Sequence, residues 1–363
     1  MIYNDIRRAT REISVGDVVI GGKSKIAIQS MTNTDTKDKV ATLEQIKRLA
    51  SAGCDIVRIT VPDEEAAETV RYIKESGIRT PIVADIHFDY RAALKSAEYG
   101  VDKIRINPGN IGDEDRVLAV INACKERHIP IRIGVNSGSL EKHILAKHGS
   151  PTPEALCESA LYHAAILEKF NFYDTAISIK SSDVASMIRA NRLVAQRCDY
   201  PIHIGVTEAG DEQSGAIKSA IGVGALICDG IGDTLRVSLT ADPVKEIDAA
   251  KEILNALNVE GQCGMNIVSC PTCGRTRIDL ISLSRRFKDA VKAEGLDDLP
   301  ITVALMGCIV NGPGEAHEAD IGIAGGQGEA LLFAHGQTIG KITENEIIPA
   351  LIREIKNIKD GRQ

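Results

Sequence analysis

The first 240 residues of this 363-residue chain repeat one pattern. A short β-branched run ends in polar residues, and a longer stretch follows with apolar residues at helical spacing. The runs are residues 25–31, 55–61, 81–86, 103–107, 130–136, 175–181, 201–207 and 234–239, and the helical stretches include 43–52, 64–75 and 153–170. Strands joined through helices pair in parallel. Eight such units leave two architectures: a closed (β/α)8 barrel or an open doubly wound sheet. No glycine fingerprint follows the first strand, and the repetition is even, so the barrel is the expected fold within the α/β class. Ahead of it, residues 11–22 alternate Ile13, Val15, Val18 and Ile20 around Gly16-Asp17, which predicts a hairpin plugging the barrel bottom.

Residues 242–257 read as the eighth barrel helix, and Gly and polar residues gather at 259–264. The expected division is therefore a substrate-binding TIM barrel over 1–258 and a second domain over 259–363. That second part mixes short strands (301–305, 320–324, 330–334) with helices over 280–293 and 343–356, a small α+β arrangement. With no Trp and only 3% aromatic residues, the core must be aliphatic and stacking platforms for bases are few. A net charge of −7 argues against bulk attraction to nucleic acid or an anionic membrane. Residues 1–14 carry no apolar signal core and no stretch is long enough to span a bilayer, so the expected compartment is the cytoplasm. There the nine Cys are thiols, not disulfides. Cys54, Cys124, Cys157, Cys198 and Cys228 are scattered and read as small core hydrophobes.

Chemistry in such barrels sits at the C-terminal ends of the strands. Those ends supply Arg58, then Asp85 and His87, then Arg105 and Asn107, Arg132 and Asn136, Ser178 and Lys180, His203 and Glu208, and finally Arg236 and Ser238. Side chains two apart share a face of a strand, so Arg105 pairs with Asn107, Arg132 with Asn136, Ser178 with Lys180 and Arg236 with Ser238. Arg58, Arg105, Arg132, Lys180 and Arg236 converging on one mouth suit a ligand with several negative charges, such as a diphosphate. The bland alternative is that each cation bridges a rim carboxylate. Glu208, a carboxylate among cations, is either a counter-ion or a general acid or base.

The second domain holds Cys270-Pro271-Thr272-Cys273, then Cys308 in Met306-Gly307-Cys308-Ile309-Val310-Asn311-Gly312-Pro313-Gly314-Glu315. Cys-x-x-Cys alone fits zinc, iron–sulfur or a redox dithiol. A structural zinc site closes with four ligands, and the fourth here would be Cys263, His317 or a carboxylate. Three thiolates with an open or oxygen-ligated iron suit a cluster that itself binds substrate. Glu315 follows a Gly-Pro-Gly turn that can return its carboxylate toward Cys308.

These segments resemble the 4-hydroxy-3-methylbut-2-enyl diphosphate synthase family. The likeness runs from Gln29-Ser30-Met31-Thr32 and Asp85-Ile86-His87-Phe88 through Lys218-Ser219-Ala220-Ile221-Gly222-Val223-Gly224 and Asp229-Gly230-Ile231-Gly232-Asp233 to both cysteine segments. It matches the shorter, two-domain bacterial form. The resemblance implies reductive opening and dehydration of 2-C-methyl-D-erythritol 2,4-cyclodiphosphate, with electrons from flavodoxin or ferredoxin. It implies a [4Fe–4S] cluster on Cys270, Cys273, Cys308 and Glu315, and Glu208 as the acidic residue of the mouth. It implies diphosphate binding by Arg58, Arg105, Arg132, Lys180 and Arg236, with Asn107, Asn136 and Ser238 alongside. It further implies a homodimer in which the cluster domain of one chain caps the barrel of the other. Two other readings stay open on the residues alone: a phosphate-binding barrel with a structural zinc domain, and a cluster-based redox sensor.

Overall fold

The structure is a computed structural model that describes residues 3–259, 261–262, 264–309 and 318–361. The chain divides into two compact units, Met1–Leu257 and Asn258–Gln363. In the first, eight parallel strands form one sheet: β3 (Ala27–Met31), β4 (Ile56–Thr60), β5 (Ile82–Asp85), β6 (Lys103–Ile106), β7 (Ile131–Asn136), β8 (Thr175–Lys180), β9 (His203–Ile204) and β10 (Thr234–Leu235). Neighbours pair in sequence order from β3 to β8, and β10 pairs with both β9 and β3. The bridge Ile177–Ile202 joins β8 to β9 and closes the barrel. The expected barrel is therefore present. Its last two strands are shorter than the sequence pattern suggested, two residues each.

A separate two-stranded hairpin, β1 (Glu12–Val15) and β2 (Val18–Gly21), turns at Gly16 with φ 55°. Ile13, Val15 and Ile20 from it pack against Ala27, Ile56, Val83 and Ala176. Those four stand near the beginnings of β3, β4, β5 and β8, so the hairpin plugs the barrel bottom and the four face its interior. Side chains alternate along a strand. Interior Ile56 therefore puts Arg58 and Thr60 inside, Val83 puts Asp85 inside, and Ala176 puts Ser178 and Lys180 inside. Register extends the face: Val83 pairs with Lys103, Asp85 with Arg105, Arg105 with Arg132, and Arg132 with Ala176. The opposite faces carry Val57, Ile59, Ile104, Ile106, Ile131, Ile133 and Ile177, all with 0% exposure beneath the surrounding helices. This aliphatic layer, at about 25 cal/mol per Å2 of apolar surface removed from water, is the chief stabilising term.

Most helices start on a side-chain cap: Asp38, Asp63, Asp89, Asp113, Thr152, Asp183, Asp211 and Asp242 each accept a backbone N–H two or three residues on. Such caps fix where each strand hands over to its helix, and so where the mouth residues stand. No helix among the described residues is long and apolar enough to cross a membrane.

The second unit is a five-stranded mixed sheet in the order β11 (Asn266–Ser269), β12 (Thr302–Met306), β13 (Ile321–Gly325), β14 (Glu329–Ala334), β15 (Gln337–Thr343). The first three strands are parallel and the last two pairings antiparallel. Helices Leu280–Ala293 and Ile347–Lys359 pack on it through Leu283, Phe287, Val291, Leu351 and Ile355. Strands β11 and β15 were not expected from the sequence.

Candidate active site

The barrel interior gathers the cations that the strand ends predicted. Arg105 donates from Nη1 to Asp85 Oδ1 at 2.9 Å, and Arg58 Nε lies 3.7 Å from Asp85 Oδ2. Gly134 leaves the room that the Arg105 guanidinium uses, since a Cβ there would stand 2.3 Å from Arg105 Nε. Arg236 forms two bonds to Glu246, Nε to Oε2 at 3.2 Å and Nη2 to Oε1 at 3.1 Å. Glu246 comes from helix Pro243–Ala256 and also accepts from Ser30 Oγ at 2.8 Å. For Arg105 and Arg236 the rim-bridge alternative is thus partly right.

It fails for Arg132. This side chain is 1% exposed, and its Nε and Nη1 have no hydrogen-bond partner. Burial, then Arg58 and Arg105, press its pKa far down. A guanidinium nevertheless keeps its proton in proteins, so the pressure is an unmet demand for an anion. Lys180 is buried as well, and burial together with Arg236, Arg58 and Arg132 pushes its pKa well below the ordinary value. Among the described residues, Asp85 is the one strand carboxylate on this inner face. Burial raises its pKa, but Arg58 and Arg105 more than offset that and hold it at about 2.

Asp85 thus gives a pH-dependent prediction. Its folded pKa lies below the ordinary 3.8, so its stabilisation is full above about pH 5 and is lost as pH falls toward 2. Asp85→Asn is expected to lower stability at neutral pH by about 3 kcal/mol, the scale for breaking a buried pair. The gap to wild type should close on acidification. Urea melts from neutral pH downward check this, and a gap independent of pH would contradict it.

The remaining predicted residues sit around these cations. Asn107 is buried just past β6, where its Oδ1 accepts from Gly109 N at 3.0 Å, and its Nδ2 has no partner. Asn136 ends β7, and Ser238 is half-buried beyond β10. Glu208 is exposed past β9 and holds φ 53°. The left-handed region costs a non-glycine residue about 1–2 kcal/mol, and such outliers concentrate at functional sites. His203 is fully buried, its Nδ1 2.7 Å from Thr234 Oγ1 and its Nε2 without partner. His87 is exposed. Sequence reasoning passed over two contributors. Lys103 is an interior lysine two residues before Arg105, and the same period-2 argument finds it. Glu246 lies on a helix, where no local signal marks it.

In the second unit, Cys270 directly follows β11 and Cys308 comes two residues after its parallel neighbour β12. Gly307 N donates to Cys270 Sγ at 3.2 Å. Arg277 N donates to Gly307 O at 3.0 Å and Cys273 N to Thr276 Oγ1 at 3.0 Å, so the Cys-x-x-Cys loop is tied to the end of β12. The Arg275 backbone N–H is the chief cause that lowers the Cys273 thiol pKa. N–H groups aimed at sulfur favour the thiolate, the form that binds metal, and the donor set fits a thiolate-ligated group. Among the described residues no cluster of three or more His, Cys, Asp or Glu closes around a metal ion. Glu315, Cys263 and His317, named as candidate ligands, lie outside the described residues. Of the scattered cysteines, Cys54, Cys124 and Cys157 are buried, and burial pushes the first two up to about 12. Cys228, expected in the core, is instead exposed at the end of helix Glu212–Cys228.

Fold and site define a class: a (β/α)8 barrel with a cation-lined interior joined in one chain to a thiol-bearing α+β unit. The barrel is similar to dihydropteroate synthase from Stenotrophomonas maltophilia at a TM-score of 0.51 and 13% identity, over 69% of this chain and 99% of that one, a likeness of fold alone. The GcpE TIM-barrel domain model matches residues 10–251, and the GcpE protein C-terminal domain model matches residues 266–357. This chain belongs to the GcpE family. Its relatives include the 4-hydroxy-3-methylbut-2-en-1-yl diphosphate synthase (flavodoxin) of Maridesulfovibrio salexigens, 56% identical over 96% of this chain and 97% of that protein. The enzyme of the same name from Clostridium perfringens is 55% identical over 97% and 99%.

Proposed function

We propose that this chain is an iron–sulfur oxidoreductase that reductively opens and dehydrates 2-C-methyl-D-erythritol 2,4-cyclodiphosphate to 4-hydroxy-3-methylbut-2-enyl diphosphate. Flavodoxin is the electron donor that the relatives' names support, with ferredoxin as the other candidate. The observation that carries the reading is the buried, half-unbonded Arg132 within an interior of Arg58, Arg105, Lys180 and Arg236. Such a set is costly when empty and satisfied by a diphosphate. In this reading the cations fix the diphosphate, and Asn107, Asn136 and Ser238 orient it through hydrogen bonds. Cys270, Cys273, Cys308 and Glu315 would hold the [4Fe–4S] cluster, which would supply single electrons for breaking the C–O bond. Glu208, held on a strained backbone at the mouth, provides the proton for the departing hydroxyl. The domains of the reading are a substrate-binding barrel over 1–258 and a cluster domain over 259–363, in a cytoplasmic homodimer.

Electron paramagnetic resonance on the anaerobically reconstituted, reduced protein tests this, with and without the cyclodiphosphate. A four-iron signal that changes with substrate is the expected result. A signal indifferent to substrate would leave a redox sensor, and zinc without iron would return the chain to the phosphate-binding barrels.

A further inference from the structure

Beneath the cations assigned to the diphosphate, the barrel holds a second polar layer. Lys103 opens β6 with 0% exposure, and its Nζ has no hydrogen-bond partner. Gln29, on the same inner face as Ala27, is 1% exposed, and neither of its amide atoms has a partner. His203 Nε2 and two Arg132 nitrogens are in the same condition. The charged and titratable groups of this interior are Arg58 on β4, Asp85 on β5, Arg105 on β6, Arg132 on β7, Lys180 on β8, His203 on β9 and Arg236 past β10, with Glu246 reaching Arg236 from helix Pro243–Ala256. Asp85 is already engaged by Arg105 and Arg58. An ammonium at Lys103 would therefore be buried, unbonded and surrounded by like charge, at a cost of several kcal/mol. Burial, then Arg132 and Arg58, press its pKa well below the ordinary 10.5. In the empty barrel, burial without a hydrogen-bond partner and the neighbouring cations favour the neutral amine of Lys103 over its ammonium.

We propose that Lys103 takes up a proton from solvent when a polyanion enters the barrel, so that substrate binding and proton uptake are one linked event. The proton passes from buffer to Lys103 Nζ, and no other bond changes. The inference rests on the placement of the cyclodiphosphate among these cations. Each of its phosphates keeps a single acidic proton that is lost far below neutral pH, so the ligand has none to exchange near pH 8. His203, with an ordinary pKa near 6.5 and further lowered by burial and then Arg132, stays neutral there.

The test is anaerobic titration calorimetry on the cluster-loaded protein without electron donor, in HEPES and in Tris at about pH 8. Wild type is expected to take up about one proton per cyclodiphosphate bound, and Lys103→Met close to none. Between the free and bound pKa of Lys103, wild-type affinity should fall about tenfold per pH unit, a slope that Lys103→Met removes. Equal uptake by the two proteins, or none by wild type, overturns the inference. Lys103→Met removes an unpaired amine and keeps an unbranched chain, and Lys103→Gln serves as the second variant. If the cyclodiphosphate does not bind, the proposed substrate fails and sulfate, a dianion with no titrating group near pH 8, becomes the probe. Uptake with sulfate in wild type alone still supports Lys103, and its absence removes that role too.

Discussion

Arg132→Met is expected to lower kcat/KM for the cyclodiphosphate about 100- to 1,000-fold while leaving the protein at least as stable as wild type. The two effects have one cause. Arg132 is the interior guanidinium with the least compensation from the protein itself: 1% exposed, with Nε and Nη1 unbonded. Losing one partner of a desolvated, hydrogen-bonded charge pair costs about 2–5 kcal/mol of binding, and each 1.4 kcal/mol is about a factor of ten. In the empty protein the same removal relieves buried donors that have no acceptor, and Met fills most of the vacated volume. Arg105→Met and Arg236→Met should differ, because they strip Asp85 and Glu246 of bonded partners and so lower stability along with turnover. Steady-state kinetics with a reduced donor, beside thermal melts of the three variants, separates the cases. Activity of Arg132→Met within threefold of wild type would remove this residue from the substrate site, and a large drop in its melting temperature would show that it stabilises the empty fold.

That contrast also marks where the sequence was legible. Strand periodicity is local, so the shared face of Arg105 and Asn107, or of Ser178 and Lys180, follows from spacing alone once a barrel is assumed. Whether a cation on that face is already satisfied depends on contacts far apart in the chain. Asp85 lies 20 residues from Arg105, and Glu246 reaches Arg236 from a helix. Spacing therefore gave five equivalent cations, whereas the fold sorts them into two firmly paired (Arg105 and Arg236), one left wanting an acceptor (Arg132) and two beside them, Lys180 buried and Arg58 half-buried. Lys103 was overlooked for a related reason. It shares a face with Arg105 by the same spacing, but it opens its strand, at the end the hairpin closes, and barrel chemistry is sought at the opposite, C-terminal ends.

The strands that were missed or overextended have physical causes too. Strand β15 is largely exposed at a sheet edge, and Gly340 interrupts its apolar alternation. Strand β11 offers only Ile267 and Val268 as apolar residues, neither fully buried. Strands β9 and β10 lose regular pairing where Gly205 meets Arg236: a Cβ on Gly205 would lie 2.3 Å from the Arg236 carbonyl oxygen. A close approach of this kind is a property of two chain segments, and the β-branched run around either one is silent about it.

In the second unit the largest effect is expected from Cys270→Ser: loss of bound iron, of the visible absorbance that accompanies it, and of turnover. Cys270 leads directly out of β11, its sulfur accepts the Gly307 N–H at 3.2 Å, and its backbone N–H is 3.4 Å from Leu305 O. Serine keeps the size, but its hydroxyl is a hard, protonated oxygen where iron–sulfur chemistry needs a soft thiolate. Cys228→Ser is the matched control. Cys228 is an exposed thiol on a barrel helix, and its loss should leave iron content and turnover unchanged. Iron and sulfide analysis after anaerobic reconstitution decides the matter. Full iron in Cys270→Ser would take this cysteine out of the ligand set and leave Cys263 or His317 to be tried in its place. Zinc in wild type, lost together with Cys270, would keep the cysteine as a ligand and reduce its role to holding the fold.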